Sequence, residues 1–89
     1  MSTMKRWNVE ILIGEVDDQT YAEAQLYDEI RNDLIGTGRA ILKTNEVNVP
    51  DIGDEIATAR ALSDLGHRLL VAAAGDLEDA TRQQVHLSR

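Results

Sequence analysis

The chain is 89 residues long, acidic (16 Asp plus Glu against 9 Lys plus Arg, net charge −7) and free of cysteine. This length holds one core, no disulfide or thiolate metal site can reinforce it, and the negative balance argues against the phosphate-neutralising contacts of a tight nucleic-acid binder. No apolar run after MSTMKRW is long enough for a signal segment or a membrane span, so the sequence predicts a soluble, cytoplasmic single domain over residues 1–89.

Residues 7–13 alternate. Trp7, Val9, Ile11 and Ile13 fall on one face, and Asn8, Glu10 and Leu12 on the other, which is the period of a half-buried strand. Residues 14–19, with the Asp17–Asp18 pair, have turn chemistry. A second alternation sets Ala22, Ala24 and Leu26 against Tyr21, Glu23, Gln25 and Tyr27, and residues 31–33 are the next turn. In the third segment, LIGTGRAILK, Gly36, Gly38, Ala40 and Leu42 share one side and Ile35, Thr37, Arg39 and Ile41 the other. Glycine in a strand permits close backbone approach, so the small side is expected to face a covering helix. Two short connections predict an antiparallel three-stranded meander.

The stretch PDIGDEIATARALSDLGHRLL, residues 50–70, reads as the start of that helix. Pro50 holds Val49 extended, Asp51 is the expected N-cap, and Asp54 and Glu55 suit the positive end of the helix dipole. Gly75 is the expected C′ residue, giving a helix over 52–74 of roughly 34 Å. At 100° per residue, Ile52, Ile56, Ala59, Leu62, Gly66, Leu69, Leu70 and Ala73 form one apolar stripe, expected to cover the sheet with Gly66 packed close upon it. Ala57, Thr58, Ala61, Leu65 and Ala72 widen the apolar arc beyond that stripe and suggest a second contact. Residues 76–84 add a short helical turn capped by Asp76, and 85–89 an extended tail.

Trp-Asn-Val-Glu-Ile at 7–11, Ala-Glu-Ala-Gln-Leu at 22–26, Gly-Thr-Gly-Arg-Ala-Ile-Leu at 36–42 and VPDIGDEIATARALSDLGHRLL at 49–70 together resemble a family of small actinobacterial proteins of unknown function. The connector KTNEVNVP departs from the family wording, and the tail keeps Val85, His86 and Leu87 without the usual Thr-His pair before them. The resemblance implies a fold like that of double-stranded-RNA-binding domains and, by analogy of fold, a likeness to ribosome-associated hibernation factors. RNA-binding relatives of that fold place lysines at the helix start, whereas this helix opens with Asp51, Asp54 and Glu55, which repel phosphate.

Few residues invite chemistry. Asp64 and His67, at i,i+3, form the one candidate metal-binding or acid–base pair, although His67 also reads as a residue at the edge of the apolar stripe. The acidic group Asp51, Asp54 and Glu55 reads first as a helix start, His86 as a tail residue, and Gly36-Thr37-Gly38 opens no helix and so makes no phosphate loop. No Ser/His/Asp spacing, Walker motif or catalytic carboxylate pair stands out, and no cofactor is implied. Two surfaces invite a partner instead: Leu12, Tyr21, Tyr27 and Ile41 on the outer face of the sheet, and the Leu65 flank of the helix. The sequence therefore predicts an α+β domain, three antiparallel strands then a long helix on one face, acting without catalysis through contacts with itself as a homodimer and with another protein. The alternatives are a ribosome- or RNA-associated stress or dormancy factor, and a small metal-binding protein or enzyme using Asp64 and His67.

Overall fold

The computed structural model describes residues 2–28, 32–41 and 50–87, without the side chains of 50 and 84–87. Three strands, β1 (Asn8–Val16), β2 (Gln19–Tyr27) and β3 (Ile35–Ile41), form an antiparallel sheet in the order β1-β2-β3, and one helix, α1 (Pro50–Leu87), lies on it. This is the α+β meander-and-helix architecture that the alternations predict. Leu42, Val49 and most of the connector before the helix lie outside the described residues.

The first turn is shorter than its composition suggests. β1 runs on through Gly14, Glu15 and Val16, which pair with Tyr21, Thr20 and Gln19. Only Asp17 and Asp18 remain in the loop, and Asp17 takes the positive φ, 56°, that a two-residue hairpin needs at its first position. Asp accepts this conformation better than a branched residue does. At the other end of β2, the Leu26 N–H donates to the Leu34 carbonyl at 3.0 Å as β3 begins.

The inner face of the sheet is built from small residues. Thr20, Ala22, Ala24, Leu26, Gly36 and Ala40 are buried beneath α1. The helix answers with small residues of its own: Gly53, Ala57, Ala61 and Leu65, spaced i,i+4, are its buried row. A Cβ on Gly36 would overlap the Ala61 carbonyl oxygen and the Leu65 amide and stand 2.7 Å from the Leu65 Cα. One on Gly38 would strike the Ala57 carbonyl and the Ala61 amide. Helix and strand are thus in backbone contact. As the chain climbs from Ala57 to Leu65 it passes from Gly38 to Gly36, so α1 runs antiparallel to β3.

This packing corrects the helix orientation expected from the sequence. The stripe of Ile52, Leu62, Gly66, Leu70 and Ala73 does not cover the sheet. It faces solvent, with Leu62 45% and Leu70 72% exposed, and nothing approaches the Cβ position of Gly66. Only Ile56 and Leu69 from that set pack against the core. Leu65, expected on a free flank, is buried at 5% exposure. The reason is steric: a sheet floored by glycine and alanine admits the narrow side of the helix, and bulky residues there would hold the two backbones apart.

The helix also ends later than expected. Gly75 has no positive φ and does not cap, so one helix of 38 residues, about 57 Å at 1.5 Å per residue, continues through the segment read as a separate turn and tail. Pro50 is its first residue, where a missing N–H costs nothing, and Asp51 stands within the first turn rather than ahead of it. Beyond the sheet, residues 73–83 are all exposed. No helix among the described residues is long and apolar enough to cross a membrane.

Candidate functional site

Asp64 and His67 sit where α1 passes the free edge of β3. Asp64 faces the strand: its Oδ2 accepts the Thr37 N–H at 2.9 Å and the Arg68 Nε–H at 3.0 Å. Four residues earlier, the Arg60 guanidinium donates to the Arg39 carbonyl at 2.6 Å. Thr37 and Arg39 alternate with the residues whose backbone bonds reach β2, so their N–H and C=O point outward from the sheet. The Arg60–Asp64 pair therefore satisfies edge groups that would otherwise be open to pairing. The sequence shows two polar residues one turn apart on a helix, and only the packing direction reveals what they meet.

The Thr37 N–H first, and then the Arg68 guanidinium, hold the Asp64 carboxyl below the usual carboxylate range. A carboxylate depressed in the folded state stabilises it above its unfolded-state value and loses that contribution as pH falls through the folded value. The parent is thus expected to lose thermal stability more steeply than Asp64→Asn as pH drops below the ordinary Asp value of 3.8. Melting both proteins from pH 5 to pH 2.5 gives the check, and parallel curves would show that the tie is not electrostatic.

His67 is exposed beside an open hollow of about 490 Å³ lined by Leu34, Asp64, His67, Arg68, Val71 and Ala72. Among the described residues no three His, Cys, Asp or Glu side chains converge to hold a metal, and the lining offers Asp64 and His67 alone. Asp64 is already engaged by two donors. The same holds at the helix start, where Asp51 and Glu55 are exposed and Asp54 half-buried without forming such a group. The side chain of His86 lies outside the described residues.

The outer face of the sheet holds Leu12, Tyr21, Tyr27 and Ile41, all exposed. The register separates them. Tyr21 stands across from Gly14 and Arg39, with Leu12 (opposite Glu23) and Ile41 (opposite Gln19) at diagonal positions, while Tyr27 lies three rows away opposite Asn8. The Tyr21 hydroxyl donates to Gln19. Val16, missed by the sequence reading because it was assigned to the turn, completes the small cluster round Tyr21. Glu10, Glu23 and Arg39 interrupt the rest of the face. Leu65 leaves the candidate surface altogether, since it is core.

A third surface was not expected. α1 lies over β3 and β2 and barely reaches β1. Trp7, Val9 and Ile13, which the helix was expected to hide, are 52%, 42% and 46% exposed. Ile11 alone of that row packs on the core cluster.

Comparison with known proteins places the sequence. The family described as Rv2632c-like matches residues 5–86. Among its relatives, the uncharacterized protein Mb1767 of Mycobacterium bovis is 43% identical over 84 residues, covering 94% of this chain and 88% of that protein. The uncharacterized protein Rv2632c of Mycobacterium tuberculosis is 41% identical over 81 residues, covering 91% and 86%. The crystal structure of Rv2632c superimposes with a TM-score of 0.81 at 39% identity, covering 90% of this chain and 94% of that one. The chain belongs to the Rv2632c-like family.

Proposed function

Starting from membership of that family, we propose that this chain is a non-enzymatic interaction protein of the cytoplasm that works as a homodimer and offers a further surface to another protein. One observation carries this reading: the buried hydrophobic core consists of Ala22, Ala24, Leu26, Ala40, Ala57, Ala61 and Leu65, five alanines and two leucines, while many bulky apolar residues, Trp7, Leu12, Ile13, Leu62 and Leu70 among them, stay exposed. Burial stabilises in proportion to apolar area, about 25 cal/mol per Å², and alanine side chains supply little of it. A domain of this size with neither disulfide nor metal gains from covering its exposed apolar surface with a partner. The exposed stripe Ile52, Leu62, Leu70 and Leu77 runs onto the part of α1 beyond the sheet, a length of helix that is marginal without something to pack on.

An architecture shared with double-stranded-RNA-binding domains, and a role in dormancy, remain the alternative within this proposal. It is the weaker reading, because the acidic helix start and the net charge of −7 oppose phosphate. Sedimentation equilibrium at micromolar concentration tests the favoured reading. The mass of two chains is expected, with a melting temperature that rises with protein concentration, since association stabilises the folded state by mass action. A single-chain mass and a concentration-independent melt would exclude the homodimer.

A further inference from the structure

The two edges of the sheet are treated differently. On β3 the Asp64 carboxylate takes the outward N–H of Thr37 and the Arg60 guanidinium the outward carbonyl of Arg39. β1 has no element beside it among the described residues, and its nine residues make it as long as β2. A two-residue loop closes on Val16↔Gln19 as a hydrogen-bonded pair, so the even-numbered residues of β1 turn their backbone to β2. Val9, Ile11, Ile13 and Glu15 then turn their N–H and C=O outward. Their side chains stand on the helix face of the sheet, where Val9 and Ile13 are left half-exposed by α1, Ile11 between them packs on the core, and Glu15 ends the row. An open edge of this length, with apolar side chains, is a template for another strand, and natural proteins usually blunt such an edge.

We infer that this edge pairs antiparallel with β1 of a second copy, about a two-fold axis at Ile11. The inference rests on the homodimer reading and assigns its surface. The register follows from the sequence of the strand. With the axis at Ile11, Val9 lies opposite Ile13 of the second copy, Ile11 opposite its own equivalent, and Ile13 opposite Val9, so the helix-face row is apolar from 9 to 13, and Glu15 meets Trp7, which lies just before the start of β1. On the outer face Glu10 lies opposite Leu12, and no carboxylate faces another. Moving the axis one residue, to Leu12, sets Val9 opposite Glu15 twice. The preferred register is thus the self-complementary one, and cross-strand apolar pairs on one face are what stabilise such a ladder. The product is a six-stranded sheet with both helices on the same face, running antiparallel. Between them the two β1 rows form one shared apolar floor, bounded on each side by Thr58, Leu62 and Leu69, the flank of α1 opposite Arg60 and Asp64.

Charge exchange across the axis tests it. Val9→Lys and Ile13→Glu each place a charge in the apolar row at positions already half-exposed in the single chain, so both variants should fold. Each is expected to weaken the dimer at least about tenfold, which is 1.4 kcal/mol. The double variant sets opposite charges against each other across both pairs, and its dimer should recover toward the parent. Positions 9 and 13 lie four residues apart on one strand, about 13 Å, so the charges do not pair within a chain. Independently, Ile11→Cys introduces a lone thiol into a cysteine-free chain. Paired residues of this kind have Cα atoms about 5.5 Å apart, within disulfide reach, so mild oxidation should link two chains. A parent dimer whose affinity ignores both single changes, a double variant no tighter than the weaker single one, or no linkage through position 11 would overturn the β1 interface. Loss of the dimer on Leu70→Asp with Leu77→Asp, and not on Val9→Lys, would move the interface to the helix and keep the homodimer. A parent that is a single chain throughout would remove the homodimer itself, and this interface with it.

Discussion

Alanine at Gly36 or Gly38 is expected to destabilise the fold severely, while alanine at Gly66 stabilises it. All three substitutions add one methyl group, and elsewhere the change from glycine to alanine favours the folded state by restricting the unfolded chain. At Gly36 and Gly38 the new carbon meets backbone: the Ala61 carbonyl and Leu65 amide in one case, the Ala57 carbonyl and Ala61 amide in the other. Backbone atoms of a helix cannot rotate away as a side-chain tip can, so α1 must lift from β3 along its whole buried row. Overpacking commonly costs about 1–3 kcal/mol, and these sites should reach or pass the upper end. For a domain of this length that is a fall in melting temperature of more than roughly 10 °C. Gly66 has open space at its Cβ position and sits in a helix interior, where alanine is better by about 1 kcal/mol, or a rise of roughly 4–8 °C. Three thermal melts decide the matter. A Gly36→Ala protein that melts within a degree or two of the parent would show that helix and strand are not in backbone contact.

The contrast among these glycines also marks how far the sequence could be read. The strands were legible because the alternations of 7–13, 21–27 and 35–42 keep a period of two through turn-rich surroundings. The small face of β3 was legible for the same reason, and its glycines announced a close neighbour. What failed was the choice of helix face. Ranking residues by hydrophobicity selects Ile52, Leu62, Leu70 and their neighbours, because bulky apolar residues usually go inside. The buried row was selected by shape instead: Gly53, Ala57, Ala61 and Leu65 are the residues that a floor of Gly36, Gly38, Ala22 and Ala24 admits. That complementarity was present in the sequence, in the small side of β3 set beside the alanines of the helix, and a pairing of the two faces would have found it. Gly75 misled for a related reason. Glycine often stops a helix by taking positive φ, but here its neighbours on both sides, Ala72–Ala74 and residues 76–83, are helical and the residue stays within the helix. The edge role of Arg60 and Asp64 had no local signal at all, because it depends on which strand the helix passes and in which direction.

Leu65 and Leu62, three residues apart on one helix, are expected to respond very unequally to truncation. Leu65 is 5% exposed and is one of two leucines in an alanine core, so it contributes a disproportionate share of the buried apolar area. Leu65→Ala removes that area and leaves a cavity between two backbones that already touch at Gly36 and cannot collapse further. A loss of about 2–5 kcal/mol follows, a large part of the stability of so small a domain. Leu62 is 45% exposed on the outward side, and Leu62→Ala should cost no more than about 0.5 kcal/mol in chemical denaturation of the single chain. The pair therefore reads the rotation of α1 directly: equal losses, or a larger loss at Leu62, would turn the helix back to the face that hydrophobicity alone selects. The same burial changes what a charged variant means. Leu65→Asp would bury a carboxylate with no partner, so the chain itself should unfold, and disappearance of a dimer in that variant reports loss of the fold rather than an interface. Interface tests consequently belong at Val9 and Ile13, and on the outward helix at Leu70 and Leu77, where a charge meets water in the folded single chain and matters only when a second surface arrives.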